Sequence, residues 1–318
     1  MDEFDLIKTY FAPLAREFSG SLGLIDDAAV IAVPLGQELV ITKDAISEGV
    51  HFIGNENPSQ LAKKLLRVNL SDLAAMGAKP LCYFLALMLP KETSEEWIKN
   101  FADGLAEDQR EFSIHLAGGD TTSTHGALSF SMTALGTVPA GKALKRSGAK
   151  QGDKVYVSGT LGDSALGLMA LRSESKDDFL IRRYLLPEPR IALGQKLIGT
   201  ATACMDISDG LVQDLGHICR ASGVGATIYR DTLPLSEPAR ALIQKDSNLW
   251  EAPLSGGDDY ELLFTVSEKN HSVLETLSRE LHPPIMMIGE ITEGNGVRAL
   301  DATGNEITLT KKGFRHFS

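Results

Sequence analysis

The chain has 318 residues and a formal net charge of −11 at pH 7, which favours two domains and argues against a nucleic-acid-binding surface. Its composition, 43% hydrophobic and 23% charged, is typical of a globular enzyme with a large core. The three cysteines lack metal-ligand spacing and predict buried free thiols in a reducing compartment. The acidic N-terminus is unlike a signal peptide, and the longest apolar run, residues 81–89, is too short to cross a bilayer. We therefore predict a cytoplasmic protein that binds neither nucleic acid nor membrane.

Helices and strands alternate along the predicted chain. The first half is predicted to contain a helix at 4–18, a strand at 38–42, a helix from about 59 to 77, a strand at 82–89, a helix opened by a capping box at 93–96, and strands at 113–117 and 127–138. The second half is predicted to contain strands at 154–158, 203–205 and 262–266, with helices after Gly162, Pro187 and Asp209. The loop 141–153 is rich in Lys, Arg and Gly and is the predicted boundary, so the domains are 1–147 and 148–318. The pattern predicts an α/β (α+β) fold.

Asp72 occupies an unexpected position on the helix that ends at Gly77. At about 100° per residue, it lies on the apolar stripe between Leu61 and Leu65. Lys64 and Arg67 fall on the opposite face, which we predict to be exposed to solvent. An ionised carboxylate on an apolar stripe is costly unless it pairs with a cation or binds a metal. The helix alone leaves an ion pair and a metal ligand equally open.

Further acids are placed where they could join Asp72 at a shared site. Asp27, Asp44 and Asp120 lie at the ends of apolar runs, and Asp206-Ile-Ser-Asp209 is a short echo of the motif around Asp72. Each acid alone could be a turn residue or a helix cap. Acids delivered from several separate elements indicate a cation site, and an acidic protein that handles phosphates needs such cations between the like charges.

Other features admit both a ligand-binding and a structural interpretation. Gly119-Asp120 allows close backbone approach to a ligand, but such a sequence is a turn in most chains. Arg146, in the boundary loop, could clamp a phosphate or be solvated. The glycine turn 159–163 leads into a helix whose N-terminus could hold an anion. It lacks the motif of a P-loop or of a dinucleotide-binding loop, so we favour a structural role. His51 is more often an ordinary packed or surface histidine.

Taken together and in this order, the motifs resemble those of the thiamine-monophosphate kinase family, within the aminoimidazole-ribonucleotide synthetase-like ATP-binding proteins. The resemblance covers nearly the whole chain. Its most specific segments are Asn69-Leu-Ser-Asp-Leu-Ala-Ala-Met-Gly-Ala, Ala117-Gly-Gly-Asp-Thr-Thr, Arg146-Ser-Gly-Ala, Asp206-Ile-Ser-Asp-Gly-Leu and Ser255-Gly-Gly-Asp-Asp-Tyr-Glu-Leu.

The resemblance implies an activity and an assembly. The activity is direct in-line transfer of the ATP γ-phosphate to thiamine monophosphate, which yields thiamine diphosphate and ADP in thiamine diphosphate biosynthesis. Several Mg²⁺ ions would assist the transfer, and no side chain would form a covalent intermediate. The implied fold has two α/β domains, with the N-terminal sheets of two subunits pairing into a barrel across a homodimer.

The resemblance also assigns residues. The implied metal ligands are Asp27, Thr42, Asp44, Asp72, Asp120, Asp206 and Asp209; the implied ATP contacts are Gly119, Asp120, Arg146 and Ser208; the implied contacts to thiamine monophosphate are His51, Asp258 and Phe314. Two residues depart from the family pattern. Asp258 stands where Glu is common, which shortens its reach, and Lys43 stands where a small hydroxyl residue is common.

Three other interpretations remain at the level of sequence. The chain could be another enzyme of the same superfamily, acting on a purine-pathway ribonucleotide or on a selenium or hydrogenase-maturation substrate. It could be a non-catalytic protein that binds divalent cations or nucleotide. The acids could also be ordinary caps and surface charges.

Overall fold

Two α/β units make up the computed structural model, which describes residues 3–173, 176–281, 284–310 and 313–314. The first unit comprises Met1–Leu73 and Ala78–Gly141, and the second comprises Ala74–Gly77 and Lys142–Ser318. Within the described ranges, no helix is long and apolar enough to cross a membrane. All three cysteines are buried free thiols, which confirms that prediction.

The first unit is built on an open sheet. Its elements are α1 (Glu3–Leu6), a π-helical turn (Ile7–Phe11), α2 (Ala12–Ala15), a 3₁₀ turn (Ser19–Leu24), β1 (Gln37–Ser47), α3 (Pro58–Ala75), β2 (Lys79–Pro90), α4 (Glu95–Phe112), β3 (His115–Thr124) and β4 (Ser129–Pro139). Among the described residues the sheet has four strands in the order β1-β4-β2-β3, so β1 and β3 are its edges. Strands β2 and β3 are parallel, and the other pairs are antiparallel. The sheet of one chain is therefore not a closed barrel.

Helix α4 covers one face of this sheet. The ring of Phe101 lies 5.2 Å from that of Phe130 on β4, and Gln109 Nε2 donates to the Tyr83 hydroxyl on β2 at 3.0 Å. Side chains alternate along β4, so Phe130 and Met132 are buried on this face, whereas Ser131 lies on the other face and is partly exposed.

The prediction that Lys64 and Arg67 lie on a solvent-exposed face of α3 is wrong. Lys64 and Arg67 are only 3% and 8% exposed. The Arg67 guanidinium donates to both oxygens of Asp108 on α4 at 2.7 and 2.9 Å, reaches Glu111 at 3.1 Å, and lies 5.3 Å from the centre of the Phe112 ring. The helical wheel distinguished polar from apolar residues correctly, but this polar face is buried by an ion pair with a second helix.

Two acids predicted at strand ends lie inside strands. Asp44 is in β1, which continues to Ser47, and Asp120 is in β3, which continues to Thr124. The Gly-Gly-Asp segment is therefore not a turn. A Cβ on Gly119 would lie 2.1 Å from the Leu85 carbonyl oxygen, so glycine allows β3 to approach β2 next to a register shift.

Smaller boundary errors have local causes. The single helix predicted at 4–18 is interrupted by the π-helical turn, just before Pro13, whose missing N–H and ring disturb a regular helix. The cap of α4 is Ser94, whose hydroxyl accepts the N–H of Trp97, one residue later than the predicted capping box.

The second unit is a mixed sheet with helices on both faces. Its elements are β5 (Lys154–Ser158), α5 (Asp163–Arg172), α6 (Asp178–Leu185), α7 (Ile191–Leu197), β6 (Ala201–Asp206), α8 (Leu211–Ser222), β7 (Gly225–Tyr229), α9 (Glu237–Lys245), α10 (Glu251–Ser255), β8 (Leu262–Val266), α11 (His271–Glu280), β9 (Ile285–Thr292) and β10 (Gly296–Leu300), with short 3₁₀ turns at Arg230–Thr232, Ser247–Trp250 and Glu268–Asn270. The strands described run in the order β10-β7-β9-β5-β8-β6, and only the β10–β7 pair is parallel.

Alternation along the central strands supplies two cores. On β5, Val155 and Val157 pack with α8 residues such as Leu215, whereas Tyr156 packs on the other face with Phe264 of β8. Strands buried on both faces read as continuous apolar runs, which is why β5 and β8 match their predicted bounds without error.

We predict that the buried Arg67–Asp108 pair is essential for the stability of the first unit. Asp108→Ala should lower the free energy of unfolding by about 3–5 kcal/mol, because it leaves the Arg67 charge buried without its main partner. The control is Asp103→Ala in the same helix. Asp103 forms an ion pair with Lys99, both side chains are exposed, and the substitution should change the free energy of unfolding by less than about 1 kcal/mol. Denaturant unfolding followed by circular dichroism measures both, and equal effects would contradict the prediction.

Candidate functional site

In the first unit, three of the candidate metal ligands lie together. Thr42 and Asp44 are two residues apart on β1 and therefore project to the same side, together with the buried Val40. The Thr42 hydroxyl donates to Asp72 Oδ2 at 2.5 Å. Burial, and then the negative charge of Asp72, raise the pKa of Asp44 to about 6. The group therefore consists of two neighbouring carboxylates and a hydroxyl.

A second group in this unit surrounds a cleft of about 570 Å³. Asp27, Gly119 and Asp120 line it, whereas Thr42, Asp44 and Asp72 are not among its lining residues. Lys43 also lines the cleft, and its ammonium donates to Ser131 Oγ at 2.8 Å. The alternation of β1 thus separates Lys43 from its sequence neighbours Thr42 and Asp44.

In the second unit, a buried acid organises the loop between β6 and α8. Asp206 ends β6 and is buried, and Ser208 and Asp209 follow it before Gly210 precedes the helix. Oδ2 of Asp214 accepts the backbone N–H groups of Ser208, Asp209 and Gly210 at 3.1, 3.1 and 3.0 Å. Burial and the charge of Asp209 raise the pKa of Asp214 to about 7, and the three amides oppose that rise.

The loop that carries Asp258 packs directly on this segment. The backbone N–H of Asp258 donates to the Ser208 carbonyl at 2.8 Å, and that of Tyr260 donates to the Ile207 carbonyl at 2.8 Å. Asp258 and Tyr260 have φ angles of +66° and +52°, in the left-handed region that non-glycine residues seldom occupy. Strained backbone of this kind concentrates at functional sites.

The buried side chain of Asp259 anchors the strained loop. Its carboxylate accepts the backbone N–H of Gly162 at 2.8 Å and of Ser164 at 3.4 Å, at the start of α5. The sequence suggested that this helix N-terminus could hold an anion, and the group bound there is the chain's own Asp259 carboxyl. Burial raises the pKa of Asp259 well above its usual value.

Glu261 fixes the other end of the same loop. Its side chain is fully buried and accepts hydrogen bonds from Ser158 Oγ at 2.6 Å, Arg183 Nη2 at 2.7 Å and Arg190 Nε at 2.6 Å. Two guanidinium groups thus compensate a carboxylate that would otherwise be too costly to bury.

The C-terminal segment reaches the loop between β6 and α8. The backbone N–H of Phe314 donates to the Asp209 carbonyl at 3.1 Å. The side-chain amide of Gln213 donates to Asp209 Oδ2 at 2.8 Å and to the Phe314 carbonyl at 3.0 Å. The second unit therefore brings Asp206, Ser208, Asp209, Asp258 and Phe314 into one assembly.

Comparison with known proteins identifies the family. Residues 25–138 match the N-terminal domain, and residues 150–301 the C-terminal domain, of the AIR synthase related proteins. The thiamine-monophosphate kinase of Escherichia coli O157:H7 is 43% identical over 324 residues, which cover 99% of this chain and 98% of that protein. The chain belongs to the thiamine-monophosphate kinase family. The family member of Salmonella typhimurium is 44% identical over 99% of this chain and 98% of its own length.

Solved structures agree with membership of the thiamine-monophosphate kinase family. The enzyme of Stenotrophomonas maltophilia K279a superposes with a TM-score of 0.84 and 40% identity, covering 92% of this chain and 96% of that one. A ThiL structure described as complexed with AMPPCP and TMP has a TM-score of 0.79 and 32% identity, covering 95% and 98%. The hydrogenase maturation protein HypE in complex with ATP has a TM-score of 0.79, and the superposition covers 97% of this chain and 95% of that one. At 19% identity, this similarity shows a shared fold alone.

His51 follows strand β1, and Arg146 lies on the loop before β5. His51 Nδ1 accepts the backbone N–H of Ser47 at 3.1 Å in the turn after β1, so the neutral ring carries its proton on Nε2. Arg146 is exposed, and its carbonyl accepts from Ser222 Oγ at 3.3 Å.

His217 is a candidate that the sequence analysis missed. Atoms of Asp209, Asp214 and His217 lie within 4.8 Å of one another, a spacing compatible with a metal. However, Asp214 Oδ2 already accepts backbone amides, and His217 Nδ1 accepts from Arg220 at 2.9 Å, which leaves the neutral ring's proton on Nε2. Burial, followed by the charges of Arg220 and Arg146, lowers the pKa of His217.

The sequence analysis missed Gln213 and Asp214, and it named Asp259 and Glu261 only as part of a motif, without a role; all four organise loops. Asp214 and Gln213 lie in the first turn of α8, and Asp259 and Glu261 lie beside Asp258. The sequence does place Asp214 in the first turn of a predicted helix, just after a glycine. An acid at that position is usually a helix cap, and the sequence cannot distinguish a cap from an acid that also binds the amides of the preceding loop.

We predict that Asp72 does not stabilise the metal-free fold. Asp72→Asn keeps an oxygen that can accept from Thr42 and removes the charge that opposes ionisation of Asp44. The pKa of Asp44 is raised on folding, so ionisation of this acid lowers the free energy of unfolding. This destabilisation begins as pH rises past the unfolded-state pKa, about 3.9, and is complete above the folded-state pKa of about 6. Melting temperature in EDTA should therefore be unchanged or raised at pH 7–8, and any gain should vanish below about pH 4. Marked destabilisation at pH 7 would instead identify a structural ion pair.

Proposed function

We propose that this chain phosphorylates thiamine monophosphate, transferring the γ-phosphate of ATP directly and in line to give thiamine diphosphate and ADP. The observation that carries the proposal is the similarity, over 95% of this chain at 32% identity, to a structure described as complexed with AMPPCP and TMP. Full-length identity of 43% to a thiamine-monophosphate kinase supports it. The reaction belongs to thiamine diphosphate biosynthesis, and buried free thiols support a cytoplasmic setting.

Magnesium ions fit the acids of the chain. The donor set around Asp72 consists of carboxylate and hydroxyl oxygens, which Mg²⁺ prefers, and repulsion between Asp44 and Asp72 favours a bound cation. When bound, Mg²⁺ neutralises phosphate charge and aligns the reactants. We assign its ligands as Asp27, Thr42, Asp44, Asp72, Asp120, Asp206 and Asp209.

The remaining candidates bind the two substrates. We assign Gly119, Asp120, Arg146 and Ser208 to ATP. Gly119 suits this role because its backbone is bare of a side chain and lines the cleft of the first unit. Arg146 is exposed on a loop, so its guanidinium is available for bidentate contact with phosphate oxygens.

His51, Asp258 and Phe314 are assigned to thiamine monophosphate. The Nε2–H of His51 is a donor suited to a phosphate oxygen, because Nδ1 is already an acceptor. The acceptor phosphate is largely anionic near neutral pH and needs no general base, so we give His51 a binding role and assign no catalytic side chain. Asp258 offers a carboxylate from a strained loop that hydrogen bonds hold in place. Its side chain is shorter than the Glu common in the family, and the fixed backbone cannot move to make up the difference.

We further propose a homodimer in which two N-terminal sheets pair. Edge strand β1 of the first unit presents Ile41 at 60% exposure, and the preceding segment exposes Ile25 and Val30, which supports burial of this surface by a second copy. Light scattering at micromolar concentration should give twice the mass of one chain; a monomer would contradict the proposal.

The direct test measures products. Protein, ATP, Mg²⁺ and thiamine monophosphate should yield thiamine diphosphate in step with ADP, and Asp72→Asn should lose most of this turnover while it remains folded. Release of ADP and free phosphate without thiamine diphosphate would overturn the assignment. Saturable ATP binding without phosphate transfer would favour a non-catalytic binding protein. If Mg²⁺-ATP does not raise the melting temperature, the acids are better explained as ordinary helix caps and surface charges.

A further inference from the structure

Gln213 bridges two segments of the second unit that the proposed function assigns to different ligands. Its single Nε2 group donates one hydrogen bond to the Asp209 carboxylate at 2.8 Å and another to the Phe314 carbonyl at 3.0 Å. Asp209 is an assigned metal ligand, and Phe314 is an assigned contact to the acceptor substrate. A side-chain amide has two N–H donors, so this bridge uses the full donor capacity of Gln213.

The backbone around the bridge is fitted closely to Gln213. The Phe314 N–H donates to the Asp209 carbonyl at 3.1 Å, so backbone and side-chain contacts join the same two segments. A Cβ on Gly313 would lie 2.7 Å from Gln213 Cβ, and Gly313 has a φ of +156°. Only a residue without a side chain lets the terminal segment approach α8 this closely.

Burial alone does not hold Phe314 in place. Its side chain is 47% exposed, so much of its apolar surface remains available to a ligand. The position of the ring then depends on how its backbone is fixed, and the Gln213 amide is one of the contacts that fix it.

We propose that Gln213 is a positioning residue, which holds Phe314 against the Asp209 loop and so shapes the site for the acceptor phosphate ester. The proposal rests on the proposed function for the roles of Phe314 and Asp209. Gln213 acts through these residues and is not a catalytic residue.

Two variants separate hydrogen bonding from packing. Gln213→Leu removes both donors. Gln213→Glu keeps the length of the side chain and its fit against Gly313, but replaces the donors with a carboxylate that repels Asp209. Gln244→Leu is the matched control, because Gln244 is exposed on α9 and has no assigned role.

The first readout is independent of activity. Hydrogen–deuterium exchange of the C-terminal peptide that contains the Phe314 amide should be about tenfold faster in both Gln213 variants, as expected for the loss of one or two hydrogen bonds. Exchange in Gln244→Leu should equal that of the unmodified protein. Unchanged exchange in Gln213→Leu would overturn the proposal even if the protein proves to be the proposed kinase.

The second readout is the pattern of kinetic constants. KM for thiamine monophosphate should rise about tenfold in both variants, whereas KM for ATP should change less than about twofold and melting temperatures should stay near that of the control. Equal rises in both Michaelis constants, or a normal Gln213→Glu enzyme beside a defective Gln213→Leu enzyme, would overturn the positioning role. If the unmodified protein forms no thiamine diphosphate, the proposed function fails, and the exchange measurement still decides whether Gln213 holds the terminal segment.

Discussion

Carboxylates held by backbone amides are the interaction on which the assembly in the second unit depends. Asp214 accepts three consecutive N–H groups of the loop after β6, and Asp259 accepts two at the start of α5. Amides that converge on one carboxyl group favour one loop geometry over many, because each amide left without a partner in a buried site costs about 1–3 kcal/mol. The candidate residues Ser208, Asp209 and Asp258 therefore lie on loops whose shape is determined by neighbouring acids. Those acids are not themselves candidate ligands.

The first unit shows the opposite relation between charge and stability. Arg67 and Asp108 are buried as a compensated pair, which fixes α3 against α4. On the same helix, Asp72 sits beside the partly buried Asp44, and their mutual repulsion favours a proton or a cation over two bare carboxylates. The proposed cation site thus retains electrostatic repulsion, whereas α3 itself is held against α4 by the Arg67–Asp108 pair, which needs no ligand.

Sequence patterns predicted much of the architecture for a clear physical reason. Strands β5 and β8 are buried on both faces, and their predicted bounds match the structure. The predicted bounds are wrong where a strand has one polar face. Strands β1 and β3 continue past Asp44 and Asp120, because Asp44 is only partly buried and Asp120 lines the cleft, so neither carboxylate is enclosed in an apolar core. The motif positions of the candidate ligands could be read from the sequence, whereas Gln213 and Asp214 could not be told from ordinary first-turn residues.

By itself, the sequence determined the α/β class, most of the elements, the acids that stand out from apolar patterns, and a resemblance to one family that comparison confirmed. Local periodicity and motif order are sufficient for these, because they depend on residues near each other in the chain. Only the tertiary structure decided that Arg67 faces α4 instead of solvent, that Asp259 occupies the helix N-terminus, and that Phe314 meets Asp209 through Gln213. Each of these contacts joins residues 41 to 101 positions apart, and a hydrogen bond over such a separation depends on how whole elements pack, which periodicity does not encode.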